Sequence, residues 1–325
     1  MSDNEIWHNY FHACFGKLSF ERVPGAKPLE KEWKDLFIHR CNLLGNWRNS
    51  SVEARCLEGH CDAVYCLQFD KSKIISGSRD RSIKIWSLDS YTCTHTLSGH
   101  TGSILCLQYS DTCIISGSSD TTIRVWDMTT KECTMTLIGH LQPVLDIQFY
   151  GTDYIVSCSK DWSIKIWSIR SGEIIRSLEG HTAAVNSIHV YGKYLASASG
   201  DSTVRLWDLD TGKLLRILKG HTRGLACVQL NRYHVVSGSN DRTIKVWDIE
   251  SGECVKTLVG HKDLVRTLSF DQHHLVSGSY DQSVKVWDTK SGNLMLDIAQ
   301  AHSSWVFHIQ IDASKIISSS QVNHD

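Results

Sequence analysis

The chain has 325 residues and a formal net charge of −1, because 34 basic side chains nearly balance 35 acidic ones. This balance excludes a general attraction to nucleic acid or to an anionic membrane, so neither is expected as a partner. The chain contains no apolar stretch of about 18 residues, the length that a membrane-spanning helix needs. The N-terminus, MSDNEIWHNY, is polar and acidic, so we expect no secretory signal and a location in the cytoplasm, the nucleus or both.

The twelve cysteines are expected to be buried, reduced thiols. No C-x-x-C pair occurs, which argues against a zinc site, and an intracellular location argues against disulfides. No metal and no cofactor is therefore predicted. Half of the cysteines fall within predicted strands, at Cys66, Cys106, Cys133, Cys158, Cys227 and Cys254.

The first fifty residues are expected to be helical. Apolar side chains from Trp7 to Phe15 recur at helical spacing, so residues 1–22 are predicted to form a helical remnant. Residues 23–51 are predicted to form a helical linker, with its helix over residues 29–44. Neither segment carries catalytic chemistry.

From residue 52 to residue 325 the chain repeats a unit of about forty residues, a period typical of β-propellers. Each of the first six copies holds a Gly-His pair, an Asp about twenty residues later and then a Trp. The histidines are His60, His100, His140, His181, His221 and His261. The aspartates are Asp80, Asp120, Asp161, Asp201, Asp241 and Asp281, and the tryptophans are Trp86, Trp126, Trp167, Trp207, Trp247 and Trp287.

Each copy predicts one four-stranded blade. In the first copy, β-rich runs cover residues 63–69, 73–78, 82–88 and 92–97. A seventh, degenerate copy starts at Ala301-His302 and lacks the third strand and its Trp. The predicted fold is therefore all-β, a seven-bladed propeller with an incomplete last blade behind a short helical linker. We expect the chain to be clipped at its C-terminus, which would leave an exposed strand edge and weak closure.

Four side chains of each copy are expected to form one hydrogen-bonded chain within the blade. In the first copy these are His60, Ser76, Asp80 and Trp86. A Ser-His-Asp set would by itself suggest a hydrolase. Six equivalent sets with a Trp attached indicate a scaffold instead, so no enzymatic activity and no catalytic residue is predicted.

The positions that differ between copies are expected to carry the function. Three per copy should open onto one face and the central channel: the third and fifth residues after the His, and the residue before the Asp. The third residues are Ala63, Ser103, Pro143, Ala184, Gly224, Leu264 and Trp305, and the fifth are Tyr65, Leu105, Leu145, Asn186, Ala226, Arg266 and Phe307. The residues before the Asp are Arg79, Ser119, Lys160, Gly200, Asn240 and Tyr280.

These sets contain cations and hydroxyls but no carboxylate, and Arg223 lies beside Gly224. Guanidinium groups with nearby hydroxyl donors suit the oxygens of a phosphate or a carboxylate. One interpretation is a site for a phosphorylated or acidic peptide, whose apolar residues would contact Leu105, Leu145 and Phe307. The other is a generic scaffold with solvated loop charges, and composition alone leaves both open.

The runs AVYCLQF, HTGSILCLQY, HTAAVN, HTRGLAC, HKDLVR and SGSYD closely resemble the F-box/WD-repeat substrate receptors of cullin–RING (SCF) ubiquitin ligases. The resemblance is nearest to the β-transducin-repeat-containing branch and covers roughly residues 30–320. It implies a non-catalytic receptor whose propeller holds a doubly phosphorylated Asp-Ser-Gly degron, while the F-box recruits the ligase adaptor.

The resemblance also implies roles for single residues. Those at one phosphate would be Tyr65, Arg79, Ser103 and Ser119, and those at the second Arg223 and Gly224. Arg266 and Tyr280 would lie near the acidic residue of the degron. The lining would be Leu145, Lys160, Asn186, Gly200, Ala226 and Leu264. Two positions depart from the family pattern: Trp305 replaces an arginine, and Asn240 replaces a serine, although its amide can still donate to a phosphate.

Residues 1–22 resemble only the end of an F-box. This chain is therefore expected to bind phosphorylated client proteins and to reach the ligase adaptor only in a longer form. Two alternatives stay open: a general WD-repeat scaffold for another complex, and a truncated decoy that cannot recruit the ligase.

Overall fold

The computed structural model describes residues 55–271, 273–312 and 315–321. The predicted helical segments, 1–22 and 23–51, lie outside these residues. The described residues form 26 β-strands without an α-helix, so no helix among them could cross a membrane.

Twenty-four strands form six antiparallel sheets, each built from four strands that are consecutive in the chain. The first three sheets comprise β1 Val64–Phe69, β2 Lys73–Ser78, β3 Ser82–Ser87, β4 Cys93–Ser98, β5 Ile104–Tyr109, β6 Cys113–Ser118, β7 Ile123–Asp127, β8 Cys133–Leu137, β9 Val144–Tyr150, β10 Tyr154–Ser159, β11 Ile164–Ser168 and β12 Ile174–Leu178. The next three comprise β13 Val185–Tyr191, β14 Tyr194–Ser199, β15 Thr203–Asp208, β16 Leu214–Lys219, β17 Leu225–Leu230, β18 His234–Ser239, β19 Thr243–Asp248, β20 Cys254–Val259, β21 Val265–Phe270, β22 His274–Ser279, β23 Val284–Asp288 and β24 Leu294–Ile298. A two-stranded sheet follows, with β25 Val306–Ile311 and β26 Ile316–Ser320.

The all-β class and the six complete blades are confirmed. Where the incomplete seventh blade was predicted, the described residues hold a sheet of only two strands, so the propeller has six blades rather than the seven predicted. The described residues of this copy end at residue 321, directly after its second strand.

The first strand of each blade lies on the channel side and packs against the first strand of the next, and β25 packs against both β21 and β1. Side chains bridge these neighbours by accepting a backbone N–H of the next inner strand. Three bridges reach about one repeat further on: Gln68 to Tyr109 at 2.9 Å, Gln108 to Phe149 at 3.3 Å and His189 to Leu230 at 3.2 Å. Gln310 accepts from the N–H of Phe69 at 2.8 Å and so joins β25 to the first strand. Because one offset recurs, the inner strands run in the same direction and their corresponding ends face the same side.

The apolar core lies between neighbouring blades. One cluster joins Ile75 and Ile83 of the first blade to Ile114 and Trp126 of the second, and four more repeat this arrangement around the ring. Gly77 shows how close the blades approach, because a Cβ there would come within 2.6 Å of the Cγ2 atom of Ile104. This packing sets the spacing of the loops at the ends of the blades.

The burial of the ten cysteines within the described residues agrees with the prediction only in part. Cys66, Cys106, Cys158 and Cys227 are buried, as predicted, and burial raises the pKa of Cys227 to about 12. The prediction is wrong for the other six, since Cys113 and Cys133 are half-buried and Cys56, Cys61, Cys93 and Cys254 are exposed. Cys93, Cys133 and Cys254 each begin an outermost strand, where one face of the sheet meets solvent.

Candidate functional site

The predicted chain of four side chains is present in the first blade. The indole N–H of Trp86 donates to the Ser76 hydroxyl at 2.8 Å, and that hydroxyl lies 2.8 Å from Nε2 of His60. Nδ1 of His60 donates to the Asp80 carboxylate at 2.7 Å. This places the proton of a neutral imidazole on Nδ1, since a carboxylate can only accept.

The same arrangement recurs in the other five complete blades. Its serine is buried in every one of them, with its hydroxyl already bonded to both the imidazole and the indole. A buried, fully bonded hydroxyl is not available to attack a substrate. The frame therefore acts structurally, as its sixfold repetition predicted.

Charge in this frame is held on the aspartate. Burial by itself would raise the pKa of Asp80, but hydrogen bonds from Ser82, from His60 and from backbone N–H groups lower it to about 2. Burial lowers the pKa of His60 at the same time. An ionised carboxylate with a neutral imidazole is the stable state at neutral pH.

The frame also positions the variable loops. In each complete blade, the residue before the Asp donates its N–H to the carbonyl of the third residue after the His, and we call these six pairs the rim. The N–O distances are 2.8–3.0 Å for Arg79–Ala63, Ser119–Ser103, Lys160–Pro143, Gly200–Ala184, Asn240–Gly224 and Tyr280–Leu264. Since the inner strands share one direction, all six pairs lie at one end of the ring.

The predicted site residues differ in accessibility. Those exposed at the rim are Arg79, Lys160, Gly200, Arg223 and Asn240, and those half-buried are Tyr65, Ser103, Ser119, Leu145, Asn186, Gly224, Leu264, Arg266 and Tyr280. Phe307 and Ala226 offer little surface to a ligand, because they are 7% and 8% exposed. Ala226 instead contributes its carbonyl, which accepts from Arg266 Nη1 at 3.4 Å.

A channel cavity of about 200 Å³ runs between the inner strands. Its walls include Tyr65, Leu145, Asn186, Arg266 and Phe307, which come from five different inner strands. The predicted fifth-position residues are thus brought together even though they are far apart in sequence. The amide of Asn186 is fixed there, because it donates to the Leu225 carbonyl at 2.6 Å.

Two glycines shape the rim between the fourth and fifth blades. A Cβ added to Gly224 would lie 3.1 Å from the Cα and from the carbonyl oxygen of Gly200. A side chain at Gly224 would therefore require the backbone of Gly200 to shift. The neighbouring loop is held by Ser239, whose buried hydroxyl donates to the Arg223 carbonyl at 3.1 Å.

Asp62 is a carboxylate that the sequence reasoning missed at the rim. Its Oδ2 atom lies 3.6 Å from Nε of Arg79, and both side chains are exposed. Asp62 lies at the second position after the His, outside the three position sets, and only the fold shows that it reaches Arg79. An exposed pair of this kind contributes little stability, but it orients the guanidinium and competes with an incoming anion.

Asp146 is a second missed carboxylate, and it faces the channel. It accepts the N–H groups of Ile147 and Ile188 at 2.8 and 2.9 Å and the hydroxyl of Ser187 at 2.9 Å. Burial raises its pKa to about 6, although these hydrogen bonds and the charge of Arg266 oppose the rise. The sequence held one signal for this residue. The inner-strand run VLDIQF has a charged residue at the position where the equivalent run of the preceding blade, ILCLQY, has a cysteine.

The raised pKa of Asp146 predicts a pH-dependent stability. An unfolded aspartate titrates near pH 4, so the folded state holds this proton more tightly, and its contribution is lost as the pH rises through about 6. The free energy of unfolding of the parent protein, measured relative to that of Asp146→Asn, should fall by up to about 3 kcal/mol between pH 4 and pH 6 and then stay level. Urea midpoints of both proteins from pH 4 to pH 8 measure this difference. The prediction would be contradicted if the parent protein became more stable relative to Asp146→Asn as the pH rises.

Six segments of the chain match the family model described as WD domain, G-beta repeat: residues 51–87, 91–127, 131–168, 172–208, 212–248 and 252–288. The solved structure of the computationally designed Ika8 protein matches with a TM-score of 0.71 and 33% identity, over 83% of this chain and 85% of that one. The fold therefore agrees with that of an independent solved structure.

The chain is also similar, over short stretches, to proteins described as SCF subunits or as F-box/WD repeat-containing proteins. The chain is 36% identical over 72 residues to the probable E3 ubiquitin ligase complex SCF subunit scon-2 of Neurospora crassa, and 46% identical over 86 residues to the F-box/WD repeat-containing protein lin-23 of Caenorhabditis elegans. These stretches cover 22% and 26% of this chain, and the chain spans only 11% of each relative. The resemblance to F-box/WD proteins is confirmed over these short stretches. Because the family model matches more than half of the sequence, the chain belongs to the WD-domain, G-beta repeat family.

Proposed function

We propose that the chain is the substrate-recognition part of an SCF-type ubiquitin ligase subunit and that it binds phosphorylated degron peptides without catalysing a reaction. The observation that carries this proposal is the placement of several cations at one end of the ring. Arg79, Lys160 and Arg223 are exposed there, and Arg266 lines the channel. The description of the Neurospora crassa relative as an SCF subunit supports the ligase assignment.

Each group at this end suits a part of a phosphorylated peptide. Tyr65, Arg79, Ser103 and Ser119 would hold one phosphate, since charged hydrogen bonds from guanidinium and hydroxyl groups are short and strong. Arg223 would hold the second phosphate, with Gly224 and the Asn240 amide beside it. The lining by Leu145, Lys160, Asn186, Gly200, Ala226 and Leu264 would complete the peptide groove, and Arg266 and Tyr280 would face the remaining degron side chains.

The wider assignment concerns the family branch, the last blade, the partners and the location. The chain would belong to the β-transducin-repeat-containing branch. β25 and β26 would form the inner half of a seventh blade. Phosphorylated client proteins would be the partners, with the ligase adaptor bound only by a form that carries an F-box. The site of action would be the cytoplasm, the nucleus or both.

Calorimetry with paired peptides tests the function. A doubly phosphorylated Asp-Ser-Gly peptide should bind at least about a hundredfold more tightly than its unphosphorylated twin, since each of the two phosphates adds charged hydrogen bonds worth about 1.5–3 kcal/mol. Added salt should weaken the phosphorylated peptide more, because the exposed cations are screened. Equal affinities for the two peptides would refute the proposal and favour a general WD-repeat scaffold.

A further inference from the structure

The second residue after the His of each copy is a further variable position at the rim. The fifth blade carries Arg223 there, and the first blade carries Asp62. In both blades the carbonyl of this residue accepts a hydrogen bond of 3.1 Å from a fully buried serine hydroxyl, that of Ser239 in the fifth blade and that of Ser78 in the first. The two backbones are therefore held in the same way. Asp62 occupies the place where the fifth blade presents a cation proposed to bind phosphate.

The carboxylate of Asp62 is oriented by its own loop. Its Oδ1 atom accepts the N–H of Ala63 at 2.7 Å, which leaves Oδ2 for another partner. Oδ2 lies 3.6 Å from Nε of Arg79, which is too far for a hydrogen bond but within ion-pair distance. The side chains of Asp62 and Arg79 are 39% and 56% exposed, so a ligand can reach both.

Asp62 also shares the space around the Tyr65 hydroxyl. Burial raises the pKa of this hydroxyl most, the charge of Arg79 lowers it, and the charge of Asp62 raises it. Both charges therefore act at the place where Tyr65 and Arg79 would hold one phosphate. A phosphate with a charge of about −1.5 to −2 would draw Arg79 away from Asp62. The Asp62 carboxylate would then lie beside a second anion, and a basic side chain of the ligand would relieve the repulsion between them.

We propose that Asp62 is a specificity-determining residue, which selects clients with a lysine or arginine one or two residues from the phosphorylated residue held by Arg79. This spacing follows from the position of Asp62 beside Arg79 and from the advance of an extended peptide, about 3.3–3.6 Å per residue. The inference rests on the proposed function and narrows its substrate class. The client carries a basic side chain, rather than a further acidic one, next to this phosphate.

A charge scan of the peptide tests the inference by calorimetry. Lys, Ala or Glu is placed at each of the two positions on either side of each phosphoserine in the doubly phosphorylated peptide. Each peptide is titrated against the parent protein, Asp62→Asn and Asp62→Lys. At one position the parent should prefer Lys over Ala by about three- to fivefold, the range for an exposed ion pair, and should bind Glu more weakly than Ala. Asp62→Asn should lose this preference, because its amide keeps an oxygen for the Ala63 N–H but carries no charge. Asp62→Lys should reverse the preference.

Asp263→Asn is the matched control. Asp263 occupies the same position in the sixth blade, where its Oδ1 atom accepts the Leu264 N–H at 2.7 Å and its carbonyl accepts the Ser279 hydroxyl at 3.2 Å. Its replacement removes the same charge from the same kind of loop and should leave the preference unchanged. Melting curves of all variants verify folding.

Three results would overturn the inference: no position that prefers Lys, a preference that survives in Asp62→Asn, or a preference that Asp263→Asn abolishes equally. The last result would show that only the overall charge of the protein matters. Phosphate dependence without a preference for Lys removes this inference alone. A preference for Lys without phosphate dependence removes the proposed function instead.

Discussion

Replacement of Trp167 by alanine should lower the free energy of unfolding by about 3–5 kcal/mol. The indole is 1% exposed and packs with Leu137, Ile147 and Ile155 in the core between the second and third blades. Its N–H also donates to the Ser157 hydroxyl at 2.8 Å. Alanine would leave a cavity and remove that hydrogen bond. Urea denaturation followed by circular dichroism measures the change.

Trp162→Ala provides the matched control for the stability of Trp167→Ala. This residue lies on the same blade but is exposed, so its loss should change stability by no more than about 0.5 kcal/mol. A loss below about 1 kcal/mol for Trp167→Ala, or equal losses for the two variants, would contradict the structural role of the repeated tryptophans.

Arg223→Ala and Arg79→Ala should each weaken binding of the doubly phosphorylated peptide by about 1.5–3 kcal/mol, or about 10- to 150-fold. The loss should be larger for Arg223. Arg79 already pairs with Asp62, and that pairing must be given up when a phosphate binds. Among the described residues Arg223 has no carboxylate within ion-pair distance. Calorimetry with a single peptide stock gives both values.

Arg170→Ala is the control for a lost surface cation. Arg170 lies in the turn between β11 and β12, at the end of its blade opposite the rim, and pairs with Asp153 at 3.0 Å. Its removal should leave peptide affinity unchanged at physiological salt, because distant charges are screened there. A loss for Arg170→Ala as large as that for Arg223→Ala would show that only overall charge matters.

The repeat made most of the fold predictable. Each Gly-His pair, Asp and Trp marks one blade, so the strand order and the buried frame follow directly from the spacing of these residues. The aligned copies also identified which loops meet at one end, because equivalent positions occupy equivalent places in every blade. The weakest region of the prediction was the degenerate seventh copy, where the marker residues that define a complete blade are absent.

The electrostatic detail of the site could not be predicted in the same way. Asp62 pairs with Arg79, and the charge of Arg266 acts on the pKa of Asp146. Both interactions depend on loop conformation or on the proximity of different blades. Periodicity assigns a residue to a position but does not show which side chains meet across the channel. For the same reason, periodicity did not show that Phe307 is buried and that its ring contacts those of Tyr65, Tyr280 and Trp305.

A double-mutant cycle between a peptide phosphate and Arg223 tests the central claim most directly. It combines four titrations: the parent protein and Arg223→Ala, each with the phosphorylated and the unphosphorylated peptide. If Arg223 captures the phosphate, the loss of the phosphate and the loss of the arginine should be coupled by about 1.5–3 kcal/mol. A coupling energy indistinguishable from zero would contradict the claim, even if the phosphorylated peptide binds more tightly to both proteins.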